Sequence, residues 1–336
     1  MRISYDDMLK KFKDILVKKG FPEEEAYQSA KIFTDNSLDG VYSHGVNRFS
    51  KVINYIDKGH ITVGVKPEKV EGFGGYERWD GRQGMGNLNA RFSMDRAIKL
   101  AKDFGIGLVA LRNTNHWMRG GTYGWQAADS GCVGICWTNT LPNMPPWGGQ
   151  DIRIGNNPFI IAIPRSDGRH LVVDMAMSQF SYGKIEQYKL KGSQLPIPGG
   201  FDKDGNLTTD PEAIEETSRV LPTGYWKGSS LSIALDLVAA VLSGGNSTYD
   251  IGRLGEGEDE FSISQVFIAI DQARFNLPEI SDEMVTNTIE FIKSSKPVDS
   301  ETTILYPGER VLKTRQENLD QGIPVNETIW KEILSL

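Results

Sequence analysis

The chain has 336 residues, 37 of them Lys or Arg and 44 Asp or Glu, for a formal charge of −7 at neutral pH. That length favours about two domains with a sizeable core, while the acidic balance argues against a nucleic-acid or anionic-membrane partner. The opening MRISYDDMLKKFKD lacks the apolar run of a secretory leader and no stretch reads as a membrane span, so the expected compartment is the cytoplasm.

The first sixty residues read as helices. Ser4 precedes DDMLKKFKDILVKKG with Asp7 three positions on, and Gly20 ends the run, a capped start and a glycine stop. Pro22 opens a second helix with Glu23, Glu24 and Glu25 in its first turn, where carboxylates suit the helix dipole. A third follows GVYSHGVNRF: Phe49, Val52, Ile53 and Ile56 form an apolar stripe that Gly59 terminates. Helices and strands then alternate. LNARFSMDRAIKLAKDFG and RGGTYGWQAADSG read as helices, and GLVALRN and VGICWTN as strands. FIIAIPR and HLVVDMA are strands joined by a short connection, so part of the sheet is antiparallel. SLSIALDLVAAVLSGG reads as a long buried helix and SQVFIAID as a further strand. Between them Asn246–Glu260, glycine-rich and acidic, is expected to be a mobile surface loop. From SDEMVTNTIEFIKSS onward the chain returns to helix, expected to pack on the N-terminal helices.

Several short patterns carry no chemistry. Cys132 and Cys136 lie on one face of a strand, roughly 13 Å apart when extended, beyond disulfide reach, and read as buried thiols. GIGLVA at Gly105 fits a dinucleotide glycine pattern, but a helix precedes it and a strand follows, the reverse of the required order. GRQGMG, Gly81–Gly86, precedes a helix and reads as a tight turn. No phosphate-loop lysine, H-E-x-x-H or G-x-S-x-G motif is present.

His44 falls at or just before the start of the third helix, with Arg48 one turn along. That spacing allows a proton donor beside a carboxylate grip, a metal ligand or a helix cap, and by itself it favours the cap. The helix dipole and Arg48 both disfavour a second positive charge, so the His44 pKa is expected to fall. His116, in RNTNHWMRGG, lies in a loop after a strand, suited to substrate contact or to a partly buried place beside Trp117. His60 reads as a residue at a helix C-terminus with no chemistry. Asp174 interrupts an apolar strand, so it is expected to be buried and to need a cation, which a protonated His44 would supply.

These residues belong to a series of segments: GVYSHGVNRF, GIGLVALRN, NHWMRGGTYGWQAA, GICWTN, MPPWG, SYGK, GGFD, GNLT and LPTGYWKGSS. In this order, across most of Gly40–Ser230, the chain resembles the malate/L-lactate dehydrogenase family that lacks a Rossmann domain. The resemblance implies an α/β (α+β) fold with a non-Rossmann NAD-binding domain. Its sheet is mixed and partly antiparallel. A helical domain built from both chain ends, 1–75 with 276–336, would flank an α/β domain, 76–275, that binds cofactor and substrate.

The resemblance also implies an NAD(P)-dependent oxidoreductase, with NADH the expected cofactor and NADPH the alternative, in a cytoplasmic homodimer without a metal. The substrate would be a small 2-oxo or 2,3-dioxo acid, first 2,3-diketo-L-gulonate and otherwise malate, lactate, ureidoglycolate or a cyclic imino acid. His44 carries over as proton donor and Arg48 as carboxylate ligand; the loop position of His116 suits a substrate contact, and Asp174 is inferred as the partner that lets His44 hold its proton. The cofactor segments fall on His170, Leu171, Val172, Val173, Asp174, Met175 and Ala176, on Trp226 and Lys227, and on Gly308, Glu309 and Arg310. GNNP at Gly155–Pro158 and PGER at Pro307–Arg310 depart from the family pattern, and Asn246–Glu260 does not follow it. From a different class, His44 and His116 would serve a metal-dependent hydrolase or lyase.

Overall fold

The structure, a computed structural model, describes residues 1–275 and 278–336. In chain order, β1 (Arg2–Ile3), α1 (Tyr5–Lys18), α2 (Glu23–Leu38) and α3 (Val46–Asp57) lead into a hairpin, β2 (Glu68–Phe73) and β3 (Tyr76–Asp80). Helix α4 (Gly86–Phe104) feeds β4 (Ile106–Thr114), and α5 (Gly121–Asp129) feeds β5 (Cys132–Thr138), β6 (Phe159–Ile163) and β7 (Leu171–Met175). A peripheral stretch holds α6 (Tyr182–Leu190), β8 (Gly200–Phe201), β9 (Leu207–Thr208) and α7 (Pro211–Thr217). Helices α8 (Trp226–Ser243) and α9 (Thr248–Leu254) precede β10 (Ile263–Asp271). Helices α10 (Pro278–Lys293) and α11 (Glu309–Gln321), strand β11 (Ile323–Pro324) and α12 (Glu327–Ser335) follow.

The main sheet runs β2-β3-β4-β10-β5-β6-β7. Strands β3 and β4 pair parallel and the other neighbours antiparallel, so the sheet is mixed as expected. Strand β10 takes the centre because both its faces are apolar: Val266 turns to one core, Phe267 and Ala269 to the other. Strand β7 ends the sheet, which leaves its outer side open to other groups.

Three cores form. One face of the sheet packs on α4 and α5 through Met94, Ala97, Trp117 and Ala127, with Cys132 and Cys136 buried there as free thiols. A Cβ at Gly107 would lie 2.0 Å from Ala97 O, so GIGLVA is where β4 meets α4 closely, not a phosphate turn. The other face receives α8 through Leu235 and Ala239. The third core draws Met8, Phe12, Phe33, Phe49 and Ile53 from the N-terminal helices and Trp330 and Ile333 from α12. Phe12 and Phe49 stack there at 4.1 Å, and burying a side chain of this size contributes about 1.5–3 kcal/mol. Strand β1 pairs with β11 and ties the two chain ends together. Anchoring α3 through Phe49 and Ile53 leaves Arg48 and Lys51 at the margin of its buried stripe, facing the sheet portion.

Four expectations change. Helix α8 is not buried throughout: Leu231, Ile233, Leu237, Val238 and Val241 are exposed, because one face alone docks on the sheet. By length and composition this helix would pass for a membrane span, which the sequence reading missed; here it packs on the sheet, Trp137 Nε1 donating to Leu235 O at 3.0 Å. Asn246–Glu260 is no mobile loop. It contains α9, started by a Ser247–Asp250 capping box, and ends in the buried Glu260. Helix α10 meets the β6–β7 turn rather than the N-terminal helices, since Ser166 N–H and Oγ both donate to the Asp282 carboxylate. A division at residue 75 falls in the β2–β3 hairpin, so the sheet portion takes in Glu68–Phe73 as well.

Candidate active site

His44 closes a 3-10 turn, Tyr42–His44, between α2 and α3. The turn is strapped to α2: Asn36 Nδ2 donates to His44 O at 2.9 Å, and Val46 N–H donates to Ser37 Oγ at 2.8 Å. Gly45 lies so close that a Cβ would stand 2.2 Å from Ser37 Oγ, so only glycine lets the turn close there. Gly45 is the N-cap residue and no side chain caps α3, so His44 is not a cap. Its Nδ1 pairs instead with Ser43 Oγ at 2.9 Å.

His116 approaches from the loop after β4. Asn115 secures that loop by donating from Nδ2 to the carbonyls of His60, Gln83 and Gly84. Gly86, the first residue of α4, allows the fit, since a Cβ there would lie 2.2 Å from His116 O. Met118 N–H donates to His116 Nδ1 at 2.9 Å, which leaves the ring proton on Nε2. The two imidazoles meet face to face, centroids 5.5 Å apart and planes inclined by 25°.

Burial first and Arg48 second push the His44 pKa down to about 4, while Asp174 pulls it up more weakly. Burial, then Arg48, then His44 itself push His116 well below its ordinary value. Both rings are therefore neutral at pH 7. Among the described residues neither Arg48 nor Lys51 has an ion pair or a side-chain hydrogen bond. Both line one small pocket with Tyr55, Asn115 and His116. A guanidinium without a carboxylate, beside neutral imidazoles, is prepared for an anionic ligand.

Asp174 is neither buried nor bonded to His44, contrary to expectation. It stands near the end of the edge strand β7, accepts from Gly121 N–H at 3.0 Å and lies 3.5 Å from Arg119 Nε. Arg119 is buried and pairs with Asp39, which also accepts from Arg315 Nε at 2.7 Å. Asp174 thus reaches His44 through charge alone.

The three expected cofactor segments converge on β7. Val172 N–H donates to Pro307 O at 2.9 Å, and Gly308, at φ +100°, passes so close that a Cβ would lie 3.0 Å from His170 O. Thr223 N–H donates to Met177 O at 2.8 Å, which brings the start of α8 beside the end of β7. The His170 ring turns inward, Nδ1 accepting from Arg165 N–H and Nε2 lying 3.0 Å from Asp129 Oδ1, and the residue is buried. Met175, Tyr225, Trp226 and Trp147 are exposed apolar surfaces around this edge, and α8 begins with no acidic residue and no side-chain cap. Apolar plates beside a helix N-terminus without a side-chain cap fit a ligand with flat rings and a diphosphate. Glu309 is engaged with Lys293, whereas Arg310 is exposed. Lys51, Arg119 and Glu260 escape a reading of the sequence. Only the i, i+3 spacing of Arg48 and Lys51 hints at the first, and the others arrive from distant segments.

The sequence pattern of the family described as malate/L-lactate dehydrogenase matches residues 3–334. The chain is 45% identical over 336 residues, 100% of both chains, to a 2,3-diketo-L-gulonate reductase of Pasteurella multocida and to one of Haemophilus influenzae. Malate dehydrogenase from Entamoeba histolytica superposes with TM-score 0.94 at 27% identity, covering 100% of this chain and 96% of that one. Sulfolactate dehydrogenase from Methanocaldococcus jannaschii does so with TM-score 0.91 at 32% identity, over 99% and 95% of the two chains.

Proposed function

The chain belongs to the malate/L-lactate dehydrogenase family, and on that premise we propose that it reduces 2,3-diketo-L-gulonate to 3-dehydro-L-gulonate with NADH. Its relatives are dehydrogenases and reductases, so it is an oxidoreductase acting on a CH–OH or ketone group. The family implies a nicotinamide cofactor and a small keto-acid substrate, and sets the metal-dependent hydrolase aside. The 45% identity to the named reductases supports the particular substrate. The choice of NADH over NADPH comes from the same resemblance.

One observation carries the mechanism: among the described residues Arg48 makes no salt bridge, and it stands beside two stacked neutral imidazoles. Arg48 grips the substrate carboxylate with its planar fork and so presents the adjacent ketone, C2, to the histidines. His116 donates from Nε2–H to a substrate oxygen. His170–Ala176, Trp226–Lys227 and Gly308–Arg310 would hold a reduced nicotinamide, whose chemistry would be to supply the hydride for C2. His44 gives its proton to the forming C2 alkoxide, so C=O becomes CH–OH.

The proton reaches His44 through the substrate. The carboxylate neutralises Arg48, the largest charge holding His44 down, and Asp174 then acts with less opposition. Binding of the acid therefore moves His44 from its neutral form toward the protonated one.

The enzyme is proposed to act in the cytoplasm as a homodimer. Two free buried thiols suit a reducing compartment, and the exposed apolar face of α8 suits a second copy. The test of the substrate is NADH oxidation over a panel of 2-oxo and 2,3-dioxo acids, repeated with NADPH. Turnover with 2,3-diketo-L-gulonate at least tenfold more efficient than with oxaloacetate or pyruvate is the expected result. Preference for either short acid overturns it.

A further inference from the structure

Lys51 lines the pocket beside Arg48 one turn along α3. Glu260, on the segment before β10, is bonded to the pocket-lining Tyr55 and lies near enough to feel the charges of Arg48 and Lys51. Glu260 is 5% exposed, and its N–H donates to Tyr55 Oη at 3.0 Å. One carboxylate oxygen accepts from Leu141 N–H at 3.1 Å, while the other, Oε1, is buried with no donor. Burial pushes this carboxyl up, and Arg48, the Leu141 N–H and Lys51 pull it down. Asn115 Oδ1, from the same pocket lining, is likewise buried without a donor.

The segment carrying Glu260 is clamped. Asp259 Oδ2 accepts from Lys58 Nζ at 2.8 Å and lies 2.9 Å from His60 Nε2. Phe261 stacks on the His60 ring with centroids 4.5 Å apart. His60, which the sequence left without chemistry, fixes the approach of Glu260.

Two properties follow for a ligand. Buried acceptors without donors favour a molecule that brings O–H groups, which pyruvate lacks. Arg48 and Lys51 against one Glu260 carboxylate leave a single positive charge, which matches one ligand carboxylate. A second carboxylate would lie against Glu260.

We propose that Lys51 and Glu260 determine specificity by holding the hydroxylated tail of a 2-oxo monocarboxylate, against dicarboxylates and short unhydroxylated acids. Arg48 takes the carboxylate, Glu260 Oε1 accepts from a tail hydroxyl, and Lys51 donates to a tail oxygen. This assignment rests on the keto-acid reductase reading above.

The test compares wild type, Glu260→Gln and Lys51→Gln on 2,3-diketo-L-gulonate, oxaloacetate and pyruvate. Glu260→Gln removes the negative charge, so the ratio of kcat/KM for oxaloacetate over the hydroxylated acid should rise about tenfold or more, mainly through KM. Lys51→Gln should lower kcat/KM for the hydroxylated acid more than for pyruvate. Lys51 is exposed, so that variant tests the proposal even where Glu260→Gln fails to fold. Equal changes for all three acids in both variants, or none, overturn this assignment and leave the reductase reading intact. No turnover of any oxo acid by wild type rejects both.

Discussion

The rings of His44 and His116 stack 5.5 Å apart although 72 residues separate them, one brought by the α2–α3 turn and the other by the loop after β4. Each is held neutral by burial first and by the neighbouring Arg48 second. Their meeting gives the substrate ketone two imidazoles and one guanidinium on one side, and it makes distinct roles separable by mutation.

Replacing His44 by Ala removes the proposed proton donor but no group of the β7 edge. Turnover should fall by about 10²–10⁴-fold while NADH affinity, read by fluorescence titration, changes little. Turnover close to wild type would remove His44 from the chemistry.

Arg48→Lys keeps the charge and loses the two-point fork. The Michaelis constant for the acid should rise about tenfold or more with NADH binding preserved; an unchanged constant argues against the carboxylate grip. Arg48→Gln should in addition raise the His44 pKa from about 4, because it deletes the largest charge opposing protonation. Titration of the ring by NMR measures this.

Substrate binding should take up a proton near pH 5, just above the His44 pKa of about 4, since neutralising Arg48 raises that pKa within the complex. Calorimetry in two buffers of different ionisation enthalpy counts the proton. The uptake should vanish in His44→Gln, and its absence from wild type would contradict substrate-driven protonation.

The folded pKa of His44 lies below its unfolded value of about 6.5, so the folded state resists protonation. Its contribution to stability is complete above pH 6.5 and is lost as pH falls through about 4. A shift of this size corresponds to roughly 3 kcal/mol. His116 acts in the same direction. Urea unfolding should show His44→Gln losing less stability than wild type between pH 7 and pH 4.

Val241 is 72% exposed and Leu237 52% exposed on the open face of α8. Leu237→Glu with Val241→Glu should halve the mass of the proposed dimer in light scattering. The α8 packing on the sheet, through Leu235 and Ala239, is untouched. A mass unaffected by both charges would place any dimer contact elsewhere.

Much was legible before the fold. Local propensity and capping are short-range, so the Ser4 cap, the α3 stripe and the glycine stops are visible in a few adjacent residues. The inverted order around GIGLVA excludes a Rossmann turn for the same reason, and the i, i+4 spacing of His44 and Arg48 survives because one turn of chain holds both. Resemblance across long segments adds the family, which no spacing supplies.

Tertiary structure decided the rest, because burial and electrostatics are set by groups far apart in the chain. Asp174 looks buried from its apolar neighbours, yet edge position opens β7 and turns its carboxylate to Gly121 and Arg119. Helix α8 looks wholly internal, yet only its sheet side has a partner. Glu260 sits in a stretch whose composition suggests a mobile loop, and the clamp of Asp259 by Lys58 and His60 fixes it against Tyr55 of the pocket. Residue types in GVYSHGVNRF establish that an imidazole and a guanidinium share one turn of chain. That the pair meets His116 and Lys51 where burial and charge lower both histidine pKa values is a property of the packed molecule.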